Sequence, residues 1–381
     1  MAAKLKIGIV VDDTLDKPDG VQQYVIGIGE WLRHQGHEVH YLAGESTRTD
    51  LANVHSLSRN LKVRFNGNRL SIPLPTSKKR LKNFLEQEQF DILHVQMPYS
   101  PFMAARLVNL AGDTTAVFGT FHILPNSSFV SFTSKLLGIW LRKSLKRFDS
   151  IFSVSSAAQT FAKASFGIDS TVLPNVFDYH TFHDAKPFPD YDDATATILF
   201  LGRLVPRKGC QTLLEAAHIL MAEHPELDFR LVICGKGPLS EKLQAYTQAH
   251  HLSDRTTFTG FVHEADKPRY YASSDITVFP SNGGESFGIV LLEAMASGKA
   301  AVLAGDNPGY RSVMTPQPEL LFKPDNPKLL ADVLHTYLTD KKAADKARHW
   351  GEDYVKQFDT DVVGKKLLSA YGQALRKRRE Q

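Results

Sequence analysis

The stretch Ser281-Asn282-Gly283-Gly284-Glu285-Ser286-Phe287-Gly288-Ile289-Val290-Leu291-Leu292-Glu293 decides how the rest of the chain is read. A glycine-rich turn leads into Glu285, and residues 289–297 read as a helix ended by Gly298. Glu285 and Glu293 lie eight positions apart. That spacing predicts both carboxylates on nearly one helical face, roughly 12 Å apart along the axis. The free amides of a helix N-terminus suit an anion such as a diphosphate. One carboxylate at its mouth and one two turns down would grip hydroxyl groups on either side. An isolated pair at this spacing also fits a capped surface helix with two solvated glutamates. The flanking sequence separates the two readings.

Outward from this stretch, short apolar runs alternate with helical patterns. Strands are predicted over 198–201, 229–234, 256–261, 276–279 and 300–304, helices over 210–224, 239–250 and 267–273, and a mostly helical tail over 328–377. The first half repeats the rhythm, with strands over 5–11, 39–43, 92–96, 116–121 and 151–155. Its helices fall over 21–35, 78–88, 101–110 and 135–148, and a last strand at 171–175 runs into an aspartate-rich linker. Such βαβ alternation argues for parallel sheets covered on both faces. The expected fold class is α/β, with two Rossmann-like doubly wound domains facing each other across a cleft. The expected boundaries are 1–175, 176–355 and a final helical segment, 356–381, packing back toward the first domain.

Composition narrows the class. The 381 residues, 43% hydrophobic and 23% charged, suit a two-domain globular protein. No apolar run approaches the ~20 residues that span a bilayer, and no secretory pattern opens the chain. Cys210 and Cys234 are too few for a disulfide framework or a zinc site. A cytoplasmic protein is expected. The net charge of +4 hides an asymmetry: residues 1–175 hold 20 Lys and Arg against 14 Asp and Glu, and the remainder 25 against 27. Positions 51–85 carry eight cations and no acid, a bias that suggests an anionic partner.

In doubly wound sheets the loops after strands hold the ligands. Gly202-Arg203-Leu204-Val205-Pro206-Arg207-Lys208-Gly209 follows one strand and puts three cations just ahead of a helix. A guanidinium can fork onto phosphate oxygens, while Lys208 supplies a point charge. Gly235-Lys236-Gly237-Pro238 and Phe261-Val262-His263-Glu264, with Lys267 beyond, end the next strands and are placed to touch a base or ribose. In the first half, Gly119-Thr120-Phe121-His122 ends a strand and would project His122 into the cleft. Phe129 and Phe132 follow as a candidate apolar acceptor wall. Pro18-Asp19-Gly20 precedes the first helix, where Gly20 lets the backbone approach a ligand. A nucleotide-sugar presents sugar hydroxyls, pyrophosphate and ribose hydroxyls in the order these groups would grip.

Two basic helices stand out. In 78–88, Leu81, Phe84 and Leu85 form one stripe among Lys78, Lys79, Arg80 and Lys82. The stripe suits either a protein core or a bilayer. The second helix carries Lys135, Arg142, Lys143, Lys146 and Arg147 beside Trp140, with no acid between Thr114 and Phe148. Together they predict docking on an anionic membrane, the inner face of the plasma membrane, at about 1 kcal/mol per cation.

These pieces together resemble the retaining glycosyltransferases of family 4, which have the GT-B fold. The resemblance rests on the first-loop glycine, Phe121-His122, Leu173-Pro174-Asn175, Gly202-Arg203 with Lys208-Gly209, and Gly284-Glu285-Ser286-Phe287-Gly288 running to Glu293. Within the family the chain looks most like the phosphatidylinositol mannosyltransferases, which share the order Gly-Gly-Glu-Ser-Phe-Gly-Ile-Val-Leu and a basic helix near 78–82. The resemblance implies transfer of a hexose, mannose by that likeness, from a nucleotide-sugar donor (GDP-mannose) to a lipid-linked polyol such as phosphatidylinositol. It implies that Arg203 and Lys208 neutralise the pyrophosphate, that Glu285 binds donor-sugar hydroxyls and Glu293 the ribose, and that His122 lies beside the sugar ring. Gly20, Gly202, Gly235, Lys236, Val262, Lys267, Gly284, Ser286, Phe287, Gly288 and Ile289 would complete the donor site. Asp19, Lys78, Lys79, Arg80 and Lys82 would face the acceptor or membrane.

The family's same-face attack, with a donor phosphate oxygen as base, implies neither cofactor nor metal. No D-x-D lies near a strand end, and Asp12-Asp13 reads as loop. Asp19 stands where such relatives often have glycine, so it would crowd the acceptor or bond a polyol. Two alternatives remain: a UDP-sugar-dependent enzyme acting on a glycan or small soluble acceptor, and a nucleotide-sugar-binding protein without catalysis. Nucleic acid is not an expected partner, since the basic tail Arg376-Lys377-Arg378-Arg379 is short.

Overall fold

The structure, a computed structural model, describes residues 4–16, 19–65, 68–122 and 137–380. The chain divides into two compact units, Met1–Val176 with Thr360–Gln381, and Phe177–Asp359. The breaks fall at 176/177 and 359/360, against 175/176 and 355/356 expected from the sequence.

In the first unit β1 (Lys6–Val11), β2 (Glu38–Ala43) and β3 (Val54–Ser56) are followed by a separate antiparallel hairpin, β4 (Asn60–Phe65) and β5 (Asn68–Pro73). Then come β6 (Ile92–Gln96), β7 (Ala116–Phe121), β8 (Ser150–Ser153) and β9 (Thr171–Val172). The main sheet is parallel in the order β3-β2-β1-β6-β7-β8-β9. Strand alternation sends Ile7, Ile9 and Val11 to one face, where helix Gly20–His34 adds Tyr24, Val25, Ile28 and Leu32. Val363, Leu367 and Tyr371 of helix Thr360–Arg379 enter the same core. Val10, Leu93 and Val95 face the other way, onto Leu81, Met103 and Leu107.

The second unit holds β10 (Ala196–Leu201), β11 (Phe229–Cys234), β12 (Thr256–Gly260), β13 (Ile276–Phe279), β14 (Ala301–Gly305) and β15 (Leu321–Phe322). They run parallel in the order β12-β11-β10-β13-β14-β15. Numbered within each sheet, the second follows the doubly wound order 3-2-1-4-5-6 and the first the same order with a seventh strand added, with switch points at β1/β6 and β10/β13.

Some elements differ from expectation. The hairpin and β3 were not predicted, nor were helices Ser156–Phe166 and Pro308–Met314. Leu61, Val63 and Phe65 alternate with Lys62 and Arg64, and Asn66-Gly67 between the two runs is a turn signal, so the hairpin's pattern is present in the sequence. The helix expected over 135–148 is broken at Leu141 within its described part, resuming over Arg142–Leu145. Among the described residues no helix is long and apolar enough to cross a membrane.

Candidate functional site

At the switch point of the second sheet, the loops following β10 and β13 are stitched together. Asn282 N donates to Arg207 O at 3.0 Å, and Ser281 Oγ lies 3.0 Å from the same carbonyl. This carries Glu285 onto two cations. Its Oε1 lies 2.6 Å from Arg207 Nη1 and 2.9 Å from Lys208 Nζ, and accepts from Ser281 Oγ at 3.0 Å. The Glu285 side chain is only 13% exposed. Burial pushes its pKa up, but the Lys208 and Arg207 charges and the bonds from Lys208 and Ser281 outweigh burial and hold it below the ordinary value. It is a buried carboxylate, and losing one partner strands the others.

Glu285 lies ahead of the helix, not on it. Gly284 and Gly288 take φ of 72° and 106°, and the helix starts only at Ile289, running to Ala296. At Gly288 an added Cβ would stand 2.7 Å from Tyr310 Cδ1, so conformation and space both demand glycine. This left-handed step breaks helical continuity. The shared face expected for Glu285 and Glu293, and the axial spacing drawn from it, are therefore corrected. Glu293 sits within the helix at 4% exposure, its Oε2 accepting from Tyr271 Oη at 3.1 Å. Burial raises its pKa, with the Lys267 charge opposing. Phe287 is buried with its ring 5.8 Å from that of Phe358.

The ends of β10, β11 and β12 meet beside this cluster's loop. Gly202 N donates to Cys234 O at 2.9 Å, Leu204 N to Lys236 O at 3.1 Å, and Gly235 N to Gly260 O at 2.7 Å. Gly235, at φ 148°, would place a Cβ 1.9 Å from Gly202 O, so the two loops touch only with glycine there. Arg203 is exposed on the same β10 loop, and Val262 is half-buried. Lys267 pairs with Glu264 at 2.7 Å. Of the residues singled out from sequence, Lys208 and Glu285 are in direct contact, and Gly202, Gly235 and Lys236 share one junction. Glu293 has its own partners. Arg207 makes the shortest contact to Glu285, a role sequence reasoning missed; its position beside Lys208 was the available signal.

In the first unit, His122 directly follows β7 at 6% exposure, with Nε2 2.7 Å from Gln96 Oε1. Tyr24 meets it edge-on at 5.0 Å between centroids. Burial pushes the His122 pKa down to about 3, so the ring is neutral at ordinary pH. At this sheet's switch point, Asp12 follows β1 and accepts from Ser100 Oγ and, at 2.8 Å, from Ala104 N. Burial raises its pKa to about 6 against those bonds. Read from sequence as plain loop, Asp12 is a buried carboxyl group pinning the β6 loop; an acid directly after a buried strand was the overlooked signal. Asp19 caps helix Gly20–His34 through its backbone only. A Cβ at Gly20 would meet nothing within 4 Å. Pro18, Phe129, Phe132 and Lys135 lie outside the described residues.

One trio of metal-ligating types, His40, His55 and Glu88, brings its ligand atoms within 4.8 Å of one another among the described residues. Its members already satisfy one another and their neighbours. His40 Nδ1 meets His55 Nε2 at 2.9 Å, Glu38 holds His40 Nε2 at 3.0 Å, and Lys6 pairs with Glu88 at 2.7 Å. The basic helix Lys78–Glu88 buries Leu81 and turns Phe84 and Leu85 toward the same core, so its stripe is a packing face. Lys78, Lys79, Arg80 and Lys82 are left exposed. An open groove of about 760 Å³ separates this helix from β3, lined by Ser56, Lys79, Arg80, Asn83 and Gln87 among others. Ile139 and Trp140, 72% and 70% exposed, precede the exposed cations Arg142, Lys143 and Lys146.

Solved structures share this architecture. A glycosyltransferase from Rickettsia africae matches 98% of this chain and 99% of its own with a TM-score of 0.75 at 19% identity. Anabaena HepE in complex with UDP-glucose matches 97% and 100% with a TM-score of 0.73 at 19% identity. The fold is GT-B, the class its doubled Rossmann order indicates. The model for Glycosyltransferase Family 4 matches residues 18–180, and that for Glycosyl transferases group 1 matches 184–354. Phosphatidyl-myo-inositol mannosyltransferase of Mycobacterium tuberculosis is 31% identical over 96% of this chain and 96% of its own. That of Mycolicibacterium smegmatis is 31% identical over 96% and 93%. The chain belongs to glycosyltransferase family 4 and is a hexosyltransferase.

Proposed function

We propose that this enzyme transfers mannose, with retention, from GDP-mannose to the inositol of phosphatidylinositol on the inner face of the plasma membrane. The observation that carries the reading is the likeness to phosphatidyl-myo-inositol mannosyltransferases over 96% of the chain, through both units. A Corynebacterium glutamicum relative, 24% identical over 97% of this chain, is named for GDP-mannose dependence and a phosphatidylinositol monomannoside acceptor.

The residues fit the chemistry as follows. The donor diphosphate lies against Lys208 and Arg207, which share their charge between it and Glu285. The amides opening helix Ile289–Ala296 add to that field. As the bond from the sugar C1 to the phosphate oxygen breaks, these cations stabilise the charge on the departing nucleoside diphosphate. The acceptor hydroxyl forms the new C1–O bond on the same face, and its proton passes to the departing phosphate oxygen. Glu285 accepts hydrogen bonds from sugar hydroxyls, and Glu293 is assigned to the ribose. His122, assigned to the sugar ring, is neutral, so it adds no positive charge against an oxocarbenium-like carbon. Arg203 remains a diphosphate ligand by resemblance, and the exposed cations of helix Lys78–Glu88 dock the anionic bilayer.

A donor panel of GDP-mannose, UDP-glucose, UDP-N-acetylglucosamine and UDP-galactose, run with phosphatidylinositol vesicles and with soluble sugars, tests this. Product from GDP-mannose and vesicles alone is expected. Preferred transfer from a UDP-sugar to a soluble acceptor would overturn the donor and acceptor assignments.

A further inference from the structure

β6 and β7 run parallel with His94 opposite Phe118 and Gln96 opposite Thr120. Residues two apart share a face, so His94, Gln96, Thr120 and His122 all project to one side of the sheet. Two hydrogen bonds cross between the strands on the same diagonal. His94 Nε2 meets Thr120 Oγ1 at 2.7 Å, and His122 Nε2 meets Gln96 Oε1 at 2.7 Å. The first rung continues outward, because His94 Nδ1 meets Tyr371 Oη, on the C-terminal helix, at 2.6 Å. Tyr24 closes the figure from above. Its ring is edge-on to His122, and its hydroxyl lies against Thr120 without completing a hydrogen bond.

His94, Gln96, Thr120, Tyr24 and Tyr371 are all 0% exposed. Polar groups so deep in a sheet core cost stability relative to apolar ones unless fully bonded. Gln96 is the clearest case. Its side-chain bond among the described residues is the one to His122, while its Nε2 has no partner there. An apolar side chain would fill the same space without that orphaned donor, so the amide is of use chiefly to His122. His94 is likewise not needed for packing against Phe118 and Phe152, where an aromatic carbon ring would serve. A neutral imidazole donates from one nitrogen and accepts at the other. The hydroxyl direction chosen by Tyr371 therefore dictates that of Thr120.

We propose that Gln96, His94, Thr120 and Tyr371 are positioning residues for His122. They form a two-rung polar ladder through which the C-terminal helix sets the orientation of the His122 ring. The inference rests on the assignment of His122 to the sugar ring made above. Gln96 fixes the ring through Nε2. The His94–Thr120–Tyr371 rung, with Tyr24 lying across both, fixes the strand end that carries it.

The test uses the full-length enzyme with GDP-mannose and phosphatidylinositol vesicles, measuring kcat, KM and Tm for five variants. Thr120→Val removes the hydroxyl at constant shape, Thr120→Ser restores it, Tyr371→Phe removes one oxygen, Gln96→Met removes the amide, and His122→Ala removes the ring. The ladder predicts a kcat loss of about 5- to 20-fold for Thr120→Val, Tyr371→Phe and Gln96→Met, with donor KM within about twofold, and near wild-type kcat for Thr120→Ser. A low kcat for His122→Ala with wild-type kcat in the other four overturns the ladder alone. Full turnover by His122→Ala overturns the His122 assignment and the ladder with it. Losses in Tm that leave kcat unchanged identify a packing role and also overturn the proposal.

Discussion

Glu285 concentrates three donors on one oxygen, two of them cationic. Replacing it by Gln keeps the shape but leaves Arg207 and Lys208 without their counter-charge. Turnover of Glu285→Gln should fall at least about 100-fold, the size of a lost transition-state contact, with unfolding at lower denaturant; steady-state kinetics and a urea titration read both. The two buried histidines of the first unit give a pH signature. His94 and His122 are held near 3, by burial first and, for His94, by His122 next, against an ordinary 6.5. The unfolded chain therefore binds two more protons there between about 3 and 6.5, so their contribution is complete above about 6.5 and lost as pH falls. Asp12 works the opposite way, its native pKa near 6 against 3.8, and offsets one proton between those values. His94→Gln should cut the acid-side slope of stability by one proton, about 1.4 kcal/mol per pH unit. An unchanged slope in urea titrations from pH 4.5 to 7 would show that His94 is protonated in the native state. At this scale Glu285 and Lys208 were legible because their motifs are local. Arg207, Gln96 and Tyr271 were not, because each gains its meaning from a partner distant in sequence.

The turn into helix Ile289–Ala296 depends on Gly288, whose φ of 106° and proximity to Tyr310 exclude a side chain. Gly288→Ala should cost about 1–3 kcal/mol of stability and raise donor KM, because the turn sets both Glu285 and the helix amides; thermal unfolding with donor kinetics checks the pair. Helix Lys78–Glu88 shows what periodicity can and cannot reveal. Its bounds were readable from the sequence, but the stripe of Leu81, Phe84 and Leu85 suited core or bilayer equally until packing placed it in the core. The membrane attachment proposed for this helix would then be electrostatic and sensitive to salt. Changing Lys78, Lys79, Arg80 and Lys82 to Gln should abolish sedimentation with anionic liposomes and leave Tm unchanged. Equal recovery of wild type with neutral and anionic vesicles at low salt would remove the docking assignment. The β4–β5 hairpin is a different case: the alternation of Leu61, Val63 and Phe65 with Lys62 and Arg64, followed by Asn66-Gly67, is a hairpin signal in the sequence that the expected strand series does not include, whereas the two-residue β9 lies inside the strand expected over 171–175.

Over the whole chain, the alternation of strands and helices showed two doubly wound units, while strand order had to come from the pairing itself. The sequence returns to its first unit at the end. Val363, Leu367 and Tyr371 of the last helix share a core with Ile7, Ile9 and Tyr24, and Arg378 binds Asp149 at 2.9 Å. Part of the basic tail is thus structural. Ending the chain at Asp359 uncovers three large side-chain positions, worth about 1.5–3 kcal/mol each. The first unit should then unfold at markedly lower denaturant while the second keeps its transition. Two transitions that shift together would contradict that division.

The loop pair at the β10/β13 switch point, with Glu285 held by Arg207 and Lys208, is the proposed donor site. The most direct measurement is transfer of labelled mannose from GDP-mannose to phosphatidylinositol vesicles by wild type and Glu285→Ala in parallel. Labelled glycolipid from wild type is expected, with at least about a 100-fold lower rate from the variant at equal folded protein. Full turnover by Glu285→Ala would contradict that assignment.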